Sequence, residues 1–483
     1  MTKDINCEIL IIGSGAGGST AAKYLTDKGR DVVLIEEGNR FDKDNVLNSF
    51  SDVLRKAWRQ GGIIPVISKS KFGFGEGKCL GGGTFINGGL MWTTPDIILD
   101  KWNKELNTTI FKKENISLNF DEVTKNLGTE NLKNNINIES SDSIKLKEIG
   151  EKNKIYVAKV PKSINSDNTN KLTLGSVRKN KNSVIDKFIL DSEVKGLRVI
   201  TNCNAKKILT QNNLISHIEA TLNNEKIYIS AKKFILACGA TQTPMLIKKS
   251  FGNNYLNSGL EVHLNLRIGV KFNYEINVDK ELMFSRQIQE YLDDGVLIMP
   301  TSFNKSSFFA SLNKLNNEDL LQIENSLNSY ASFIIQLQSE NHINLNNINN
   351  NIVLSYNLSS KDLIKLKKYF TKFCEFLFDT GALEMILPFN RNYILTKNMN
   401  LKDYFDQNVY QSNLEMVSVH GMSSAKMGNN KSNKTIFDVE GKSFDFKNLY
   451  SVDSSILPSS TIESPQGTIM SLSNLITKNI NYN

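Results

Sequence analysis

Apolar and polar positions alternate along this chain in patterns that predict its elements one after another. CEILII is an unbroken apolar run, AAKYLTDKG has helical spacing, and VVLI is a second apolar run, so residues 7–36 predict strand, helix, strand. LRVITNC predicts a further strand. In AKKILTQNNLISHIEATLNNEKIYIS the apolar residues alternate and are broken twice by Asn-Asn, the mark of a small antiparallel meander. FILACGA predicts a short buried parallel strand that ends in a turn before Thr243 and Pro244. EVHLNLRIGVKF and YASFIIQLQ are strand-like, whereas Ser183 to Val194 and KDLIKLKKYFTKFCEFLFDTGA have helical spacing. From Trp102 to Asn170 a polar stretch with short apolar patches predicts helices and loops. The tail from Val417 returns to glycine turns, a strand NLYSVD, and a closing helix from about Gly467 through Ile480.

Together these elements predict an α/β chain, α+β overall, with a Rossmann-like doubly wound domain and a second domain built on an antiparallel sheet. A length of 483 residues exceeds one ordinary core. The expected division is a discontinuous nucleotide domain of residues 1–100, 171–258 and 411–483, peripheral helices and loops at 101–170, and a substrate domain at 259–410.

The first βαβ unit carries chemistry. Gly13 permits a tight turn, Gly15 lets a pyrophosphate touch the backbone, and Gly18 lets helix pack on strand. Free N–H groups at the helix start then face the phosphates, and Glu36, at the end of the second strand, would take ribose hydroxyls. A second glycine-dense segment, GFGEGKCLGGGTFINGGLMWTTP, interleaves Gly81, Gly82 and Gly83 with apolar residues. Ordering so many glycines is costly unless the backbone must approach something closely.

Bulk properties mostly exclude. The formal charge is +8, but the lysines are scattered among asparagines and acids, and no basic-aromatic interleaving or zinc spacing indicates nucleic acid. Five widely spaced cysteines cannot all pair within the chain, which fits a reducing cytoplasm. No leader pattern precedes the first strand and no apolar run reaches membrane-spanning length, so the expectation is a cytoplasmic protein without an integral membrane segment.

Four separated segments, in order, resemble the glucose-methanol-choline (GMC) oxidoreductases, FAD enzymes that oxidise alcohols: the Gly13 to Glu36 unit, GKCLGGGTFINGGL, FILACGATQTP, and the tail motifs SVHGMSSAKMG and NLYSVDSSILPSSTIESPQGTIMSL. The resemblance implies FAD as cofactor and a small-molecule alcohol as substrate. It places Gly82, Gly83 and Asn87 along the flavin and its pyrophosphate, Ala205 at the adenine, Asp453 near the ribityl and phosphate groups, and Thr468 in the closing helix beside the cofactor. Asp453 also has the ordinary reading of a turn or N-cap acid. His420 matches the family's active-site histidine. Hydride transfer from a carbinol carbon requires a base for the hydroxyl proton, and an imidazole titrating near 6.5 suits that task.

Two positions depart from the family pattern. Where relatives place Asn or His before Pro-x-x-Thr, this chain has Ser464, either a second catalytic group donating to the substrate oxygen or a simple cap before Pro465. Ile86 stands where some relatives attach flavin covalently through histidine, so FAD is expected to bind non-covalently. Two alternative readings remain at this stage: a flavin-containing lyase on the same scaffold, and the flavoprotein subunit of an electron-transfer complex with an electron-acceptor partner subunit.

Overall fold

The computed structural model describes residues 4–41, 49–129, 139–164, 181–257, 259–276, 284–301, 308–309, 311–312, 315–348 and 351–482. Its first sheet runs in the order Arg198–Ile200, Val32–Ile35, Asp4–Ile12, Glu225–Leu236, and continues antiparallel through Leu214–Leu222 and Cys203–Gln211. Ile9 to Ile12 and Val32 to Ile35 are buried, as unbroken apolar runs must be in a parallel sheet covered on both faces. The meander forms as expected, and its Asn223 and Asn224 both take positive φ, the backbone that a two-residue hairpin turn demands.

One expectation changes. FIL is the second half of the meander's last strand, Glu225–Leu236, and that strand divides its outer edge. Residues up to Ile229 pair with Leu214–Leu222, and Phe234 to Leu236 pair in parallel with Leu449–Ser451 of the tail. The carboxyl ends of the parallel strands therefore lie together and carry Gly13, Glu36, Cys238 and Asp453, the edge at which such sheets bind ligands.

The second sheet is larger: Ile343–Ile348, Asn351–Ser355, Ile64–Ile67, Lys71–Phe74, Glu415–Ser418, Gly259–Phe272, Tyr330–Gln338, Val296–Pro300, Arg286–Ile288 and Val157–Lys159. Strands from within 1–100, 101–170 and 411–483 thus join it, so the sheets interleave along the chain more than the expected division allowed. Alternation in the long central strand sorts its side chains: Val262, Leu264, Leu266 and Ile268 lie on one face, His263, Asn265 and Arg267 on the other. The register His263↔Gln338, Asn265↔Gln336 extends the polar face to the neighbouring strand. The apolar face is covered by the helix Ser360–Asp379, whose Phe373 meets Phe333 edge to face at 5.5 Å between centroids. The polar face receives the tail.

No helix among the described residues is long and apolar enough to cross a membrane.

Candidate active site

Gly13 takes φ +104°, and a Cβ there would stand 2.2 Å from the Ala237 carbonyl oxygen, so the turn admits only glycine. Gly15 is different. It precedes the helix Ala16–Asp27, and a Cβ on it would meet nothing within 4 Å. Gly82 comes to it from the second glycine segment, with its own Cβ position 3.1 Å from Gly15 Cα, while the Gly83 position is again open. An open cradle of glycine backbone at a helix N-terminus fits a pyrophosphate in size and in donor chemistry.

Glu36 is buried beside this cradle. Its Oε2 accepts from the Ser14 N–H (3.1 Å) and hydroxyl (2.6 Å), its Oε1 from the Gly38 N–H (2.9 Å), and Ser14 Oγ in turn accepts from the Gly81 N–H at 3.0 Å. Burial raises its pKa, opposed by these donors, and an acceptor position remains on Oε1 for a hydroxyl. Cys203 N–H donates to the Glu36 carbonyl, and two residues on the ladder with Leu214–Leu222 shifts register between Ala205 and Lys207. Asp453, at the end of Leu449–Ser451, accepts from the Gly239 N–H (2.9 Å), Thr243 Oγ1 (2.5 Å) and the Ser455 N–H (2.7 Å). It therefore both orders its own turn, as the plain reading had it, and ties the tail to the helix Gly239–Phe251.

Asn87 follows the short helix Gly83–Ile86 and is engaged on both ends of its amide. Nδ2 donates to Gln466 Oε1 of the closing helix, Gln466–Asn479, and Oδ1 accepts from the Gly89 N–H (3.0 Å) and from Lys181 Nζ (2.9 Å). Lys181 also donates to the Asn87 carbonyl at 3.1 Å, and burial among neutral oxygens pushes it down to about 7. Thr468 is buried and its hydroxyl accepts from Thr94 at 2.8 Å.

His420 lies between Glu415–Ser418 and Gly421–Met422, and because Gly421 pairs with Val262 the imidazole meets His263 on the polar face. The two Nδ1 atoms are 3.0 Å apart, with the rings at 88°. His263 Nε2 faces the Thr461 carbonyl, which can only accept, so Nε2 carries the proton and Nδ1 is bare. His420 must then donate through Nδ1–H, which leaves its Nε2 lone pair free. Burial holds both rings below the ordinary histidine value, His263 at about 4 and His420 at about 3, the latter lowered further by its neighbour. His420 is thus a neutral imidazole with its basic nitrogen fixed by a second histidine.

The tail segment 460–463 lies on the same polar face: Gln336 Nε2 donates to the Ile462 carbonyl (3.0 Å) and Gln338 Nε2 to the Ser460 carbonyl (3.0 Å). Glu463 is buried and accepts from Gln287 (3.0 and 2.9 Å) and Gln289 (2.6 Å); burial raises it to about 7. Ser464 is next, half-buried. The closing helix is not capped by it, because Pro465 occupies the N-cap position and no side chain caps the helix.

The structure thus gathers Gly13, Gly15, Gly18, Glu36, Gly82, Gly83 and Asp453 at one sheet edge, and His420 beside His263 and the tail. His263, Lys181 and Glu463 were not singled out from the sequence. Strict alternation in VHLNLRIG carried a usable signal, since it placed His263 on a buried polar face.

The family description of GMC oxidoreductases matches residues 7–267 and 338–473, and the chain belongs to that family. A GMC-type oxidoreductase of Sinorhizobium fredii with no assigned activity is 23% identical, over 97% of this chain and 93% of its own. A long-chain-alcohol oxidase of Arabidopsis thaliana is 24% identical, over 99% and 68%. Among solved structures, pyridoxine 4-oxidase from Mesorbium loti superposes with a TM-score of 0.76 at 12% identity, covering 98% of this chain and 99% of that one. Formate oxidase gives 0.74 at 11%, covering 99% and 98%. The fold is that of these flavoenzymes, with a Rossmann-type FAD-binding domain, and the protein is an oxidoreductase.

Proposed function

We propose that the protein oxidises the CH–OH group of an alcohol, with non-covalently bound FAD and with His420 as general base. The observation that carries this reading is the free Nε2 lone pair of His420, fixed by the Nδ1–Nδ1 contact of 3.0 Å to His263. Family membership and the alcohol oxidase among its relatives support the reaction class. When bound, FAD would supply the hydride acceptor. Gly15, Gly82 and Gly83 would hold its pyrophosphate, and Glu36 its ribose. His420 Nε2 takes the hydroxyl proton as the carbon gives up its hydride, and the resulting charge is shared with His263 through Nδ1–H. Ser464, whose hydroxyl caps no helix, donates to the substrate oxygen. Ile86, beside Asn87, offers no atom for a covalent flavin link. The five cysteines are unpaired thiols, which supports a reducing compartment, the cytoplasm.

The test is direct. Purified protein should be yellow, release FAD on denaturation in acid, and bleach without oxygen when a panel of aliphatic, aromatic and sugar alcohols is added. Retention of the yellow colour in the precipitate would reject non-covalent binding, and failure of every alcohol to bleach the protein would reject the activity.

A further inference from the structure

Behind the Asn87 loop lies a cation that the chemistry above does not use. Residues 161–163 run antiparallel to 89–91, with the Met91 N–H donating to the Pro161 carbonyl and the Ser163 N–H to the Gly89 carbonyl, each at 2.8 Å. In that pattern Leu90 and Lys162 face each other on one side of the ribbon. Ile164 pairs with Lys181 in the same way, so both lysines project from the face turned to the Phe85–Asn87 loop. Lys181 spends its donors on that loop. Lys162 does not: it is 2% exposed, and among the described residues its Nζ has no hydrogen-bond partner. Asp142 is the acid that attracts it electrostatically, without a hydrogen bond. Holding the charged form of a buried amine without an acceptor costs several kcal/mol, which an anion brought beside it would offset.

Three further observations point to a missing acceptor. Trp92 Nε1, two residues past Leu90, is a second buried donor without a partner among the described residues. The Phe284 ring stands 5.9 Å from Lys162 Nζ, and it fills the place where a Cβ on Gly88 would be, 2.9 Å from its Cδ2. Phe284 holds φ +56°, a left-handed backbone that an aromatic residue adopts only under constraint. A strained aromatic ring and a glycine thus stand by the ammonium, and a second orphaned donor lies two residues along the same ribbon. The same stretch also borders the reacting centre, because Val160 N–H donates to Ser285 and Gln287, two residues on, holds Glu463 next to Ser464.

We propose that Lys162, with the Trp92 indole, forms an anion subsite, and that the alcohol oxidised here carries a carboxylate which this subsite receives. The inference rests on the alcohol-oxidising reading. Its experiment therefore has two independent arms.

In the first arm, anaerobic stopped-flow bleaching of the holoprotein compares matched pairs: benzyl alcohol with 4-(hydroxymethyl)benzoate, and 1-decanol with 10-hydroxydecanoate. The acid of a pair should bind at least about tenfold more tightly, and Lys162→Met should bring the ratio of the two affinities close to one, with Lys162→Arg restoring part of it. Equal affinities in the unaltered protein, or a ratio that survives Lys162→Met, would overturn the proposal. In the second arm, benzoate and decanoate, which cannot be oxidised, are titrated into the holoprotein and the flavin absorption spectrum is followed. A saturable shift lost in Lys162→Met supports the subsite even if no alcohol bleaches the protein; no shift overturns it. Should Lys162→Met fail to fold, Trp92→Phe takes its place in both arms, with a weakening of about threefold to tenfold expected for the acids alone and no change in the ratio counting against the subsite.

Discussion

On the nucleotide side of the crevice, buried carboxylates end largely on main-chain N–H groups: Ser14 and Gly38 for Glu36, Gly239 and Ser455 for Asp453. On the sheet side, three buried titratable groups near the tail are held differently. Glu463 is held by two glutamines, Lys181 by carbonyl and amide oxygens, and Lys162 by no hydrogen bond among the described residues. Main-chain donors are rigid and cannot swing away, which suits a site that grips one ligand permanently. On the sheet side burial brings carboxyl and ammonium close to neutral titration, Glu463, Lys162 and Lys181 all at about 7. Under the proposed function this difference corresponds to holding on one side and chemistry on the other.

Separate failure of the two sides is the sharpest test of that assignment. His420→Ala should keep its FAD and slow anaerobic flavin reduction by on the order of 10²–10⁴, the usual loss when a general base is removed; reduction at the unaltered rate would break the assignment. Glu36→Ala should do the reverse. Losing a buried acceptor of three donors costs about 1.5–3 kcal/mol, or roughly 10- to 100-fold in the Kd for FAD measured on reconstituted apoprotein, while protein saturated with FAD is reduced nearly normally.

His263→Phe removes the acceptor for His420 Nδ1–H without touching substrate. A slowing of about tenfold is expected in the limiting rate of flavin reduction rather than in alcohol affinity, with His263→Gln recovering part of it through its amide oxygen. Equal effects on rate and affinity would mean that His263 shapes the pocket instead.

The smallest effect concerns stability against pH. The two histidines sit below 6.5 when folded, so the unfolded chain binds more protons as pH falls from about 6.5 toward 4, and stability drops across that window. Lys162 and Lys181 are lowered from 10.5 to about 7, so the unfolded chain again binds more protons between about 7 and 10.5, and their contribution to stability rises with pH there. Glu463, raised from 4.5 to about 7, works in the opposite sense over part of the acid window, so the histidines' share should show as a smaller loss of urea midpoint on acidification in His263→Phe than in the unaltered protein, and Lys162→Met should flatten the alkaline rise while raising the midpoint at pH 7. A lower midpoint for Lys162→Met at pH 7 would show that the buried ammonium stabilises the fold.

How much of this was legible follows the same division. Gly13, Gly15, Gly18 and Glu36 are close in sequence, their spacing is set by one turn and one helix, and the structure brings them together as read. Asp453 and His420 were reached through motif resemblance, and the tail strand that positions Asp453 was visible as a short apolar run. His263 was passed over because its partner lies 157 positions away and only the register of Gly259–Phe272 against Gly421–Met422 brings them together. Nothing local in the sequence announces that Glu463 meets Gln287 and Gln289. Lys162 sat in a stretch so rich in lysine that its burial had no signature. The single strand Glu225–Leu236 was read as two because its partners change midway, which is a property of the sheet rather than of the segment.

That change of partners has a consequence for how the chain is made. Phe234 to Leu236 leave the ribosome long before Leu449 to Ser451, which alone cover that edge in the finished molecule. Throughout that interval the nascent protein carries an open, apolar ribbon of backbone donors and acceptors, a template for illicit pairing with other chains. Molecules cut short ahead of Leu449 should consequently clump rather than circulate as inactive monomers.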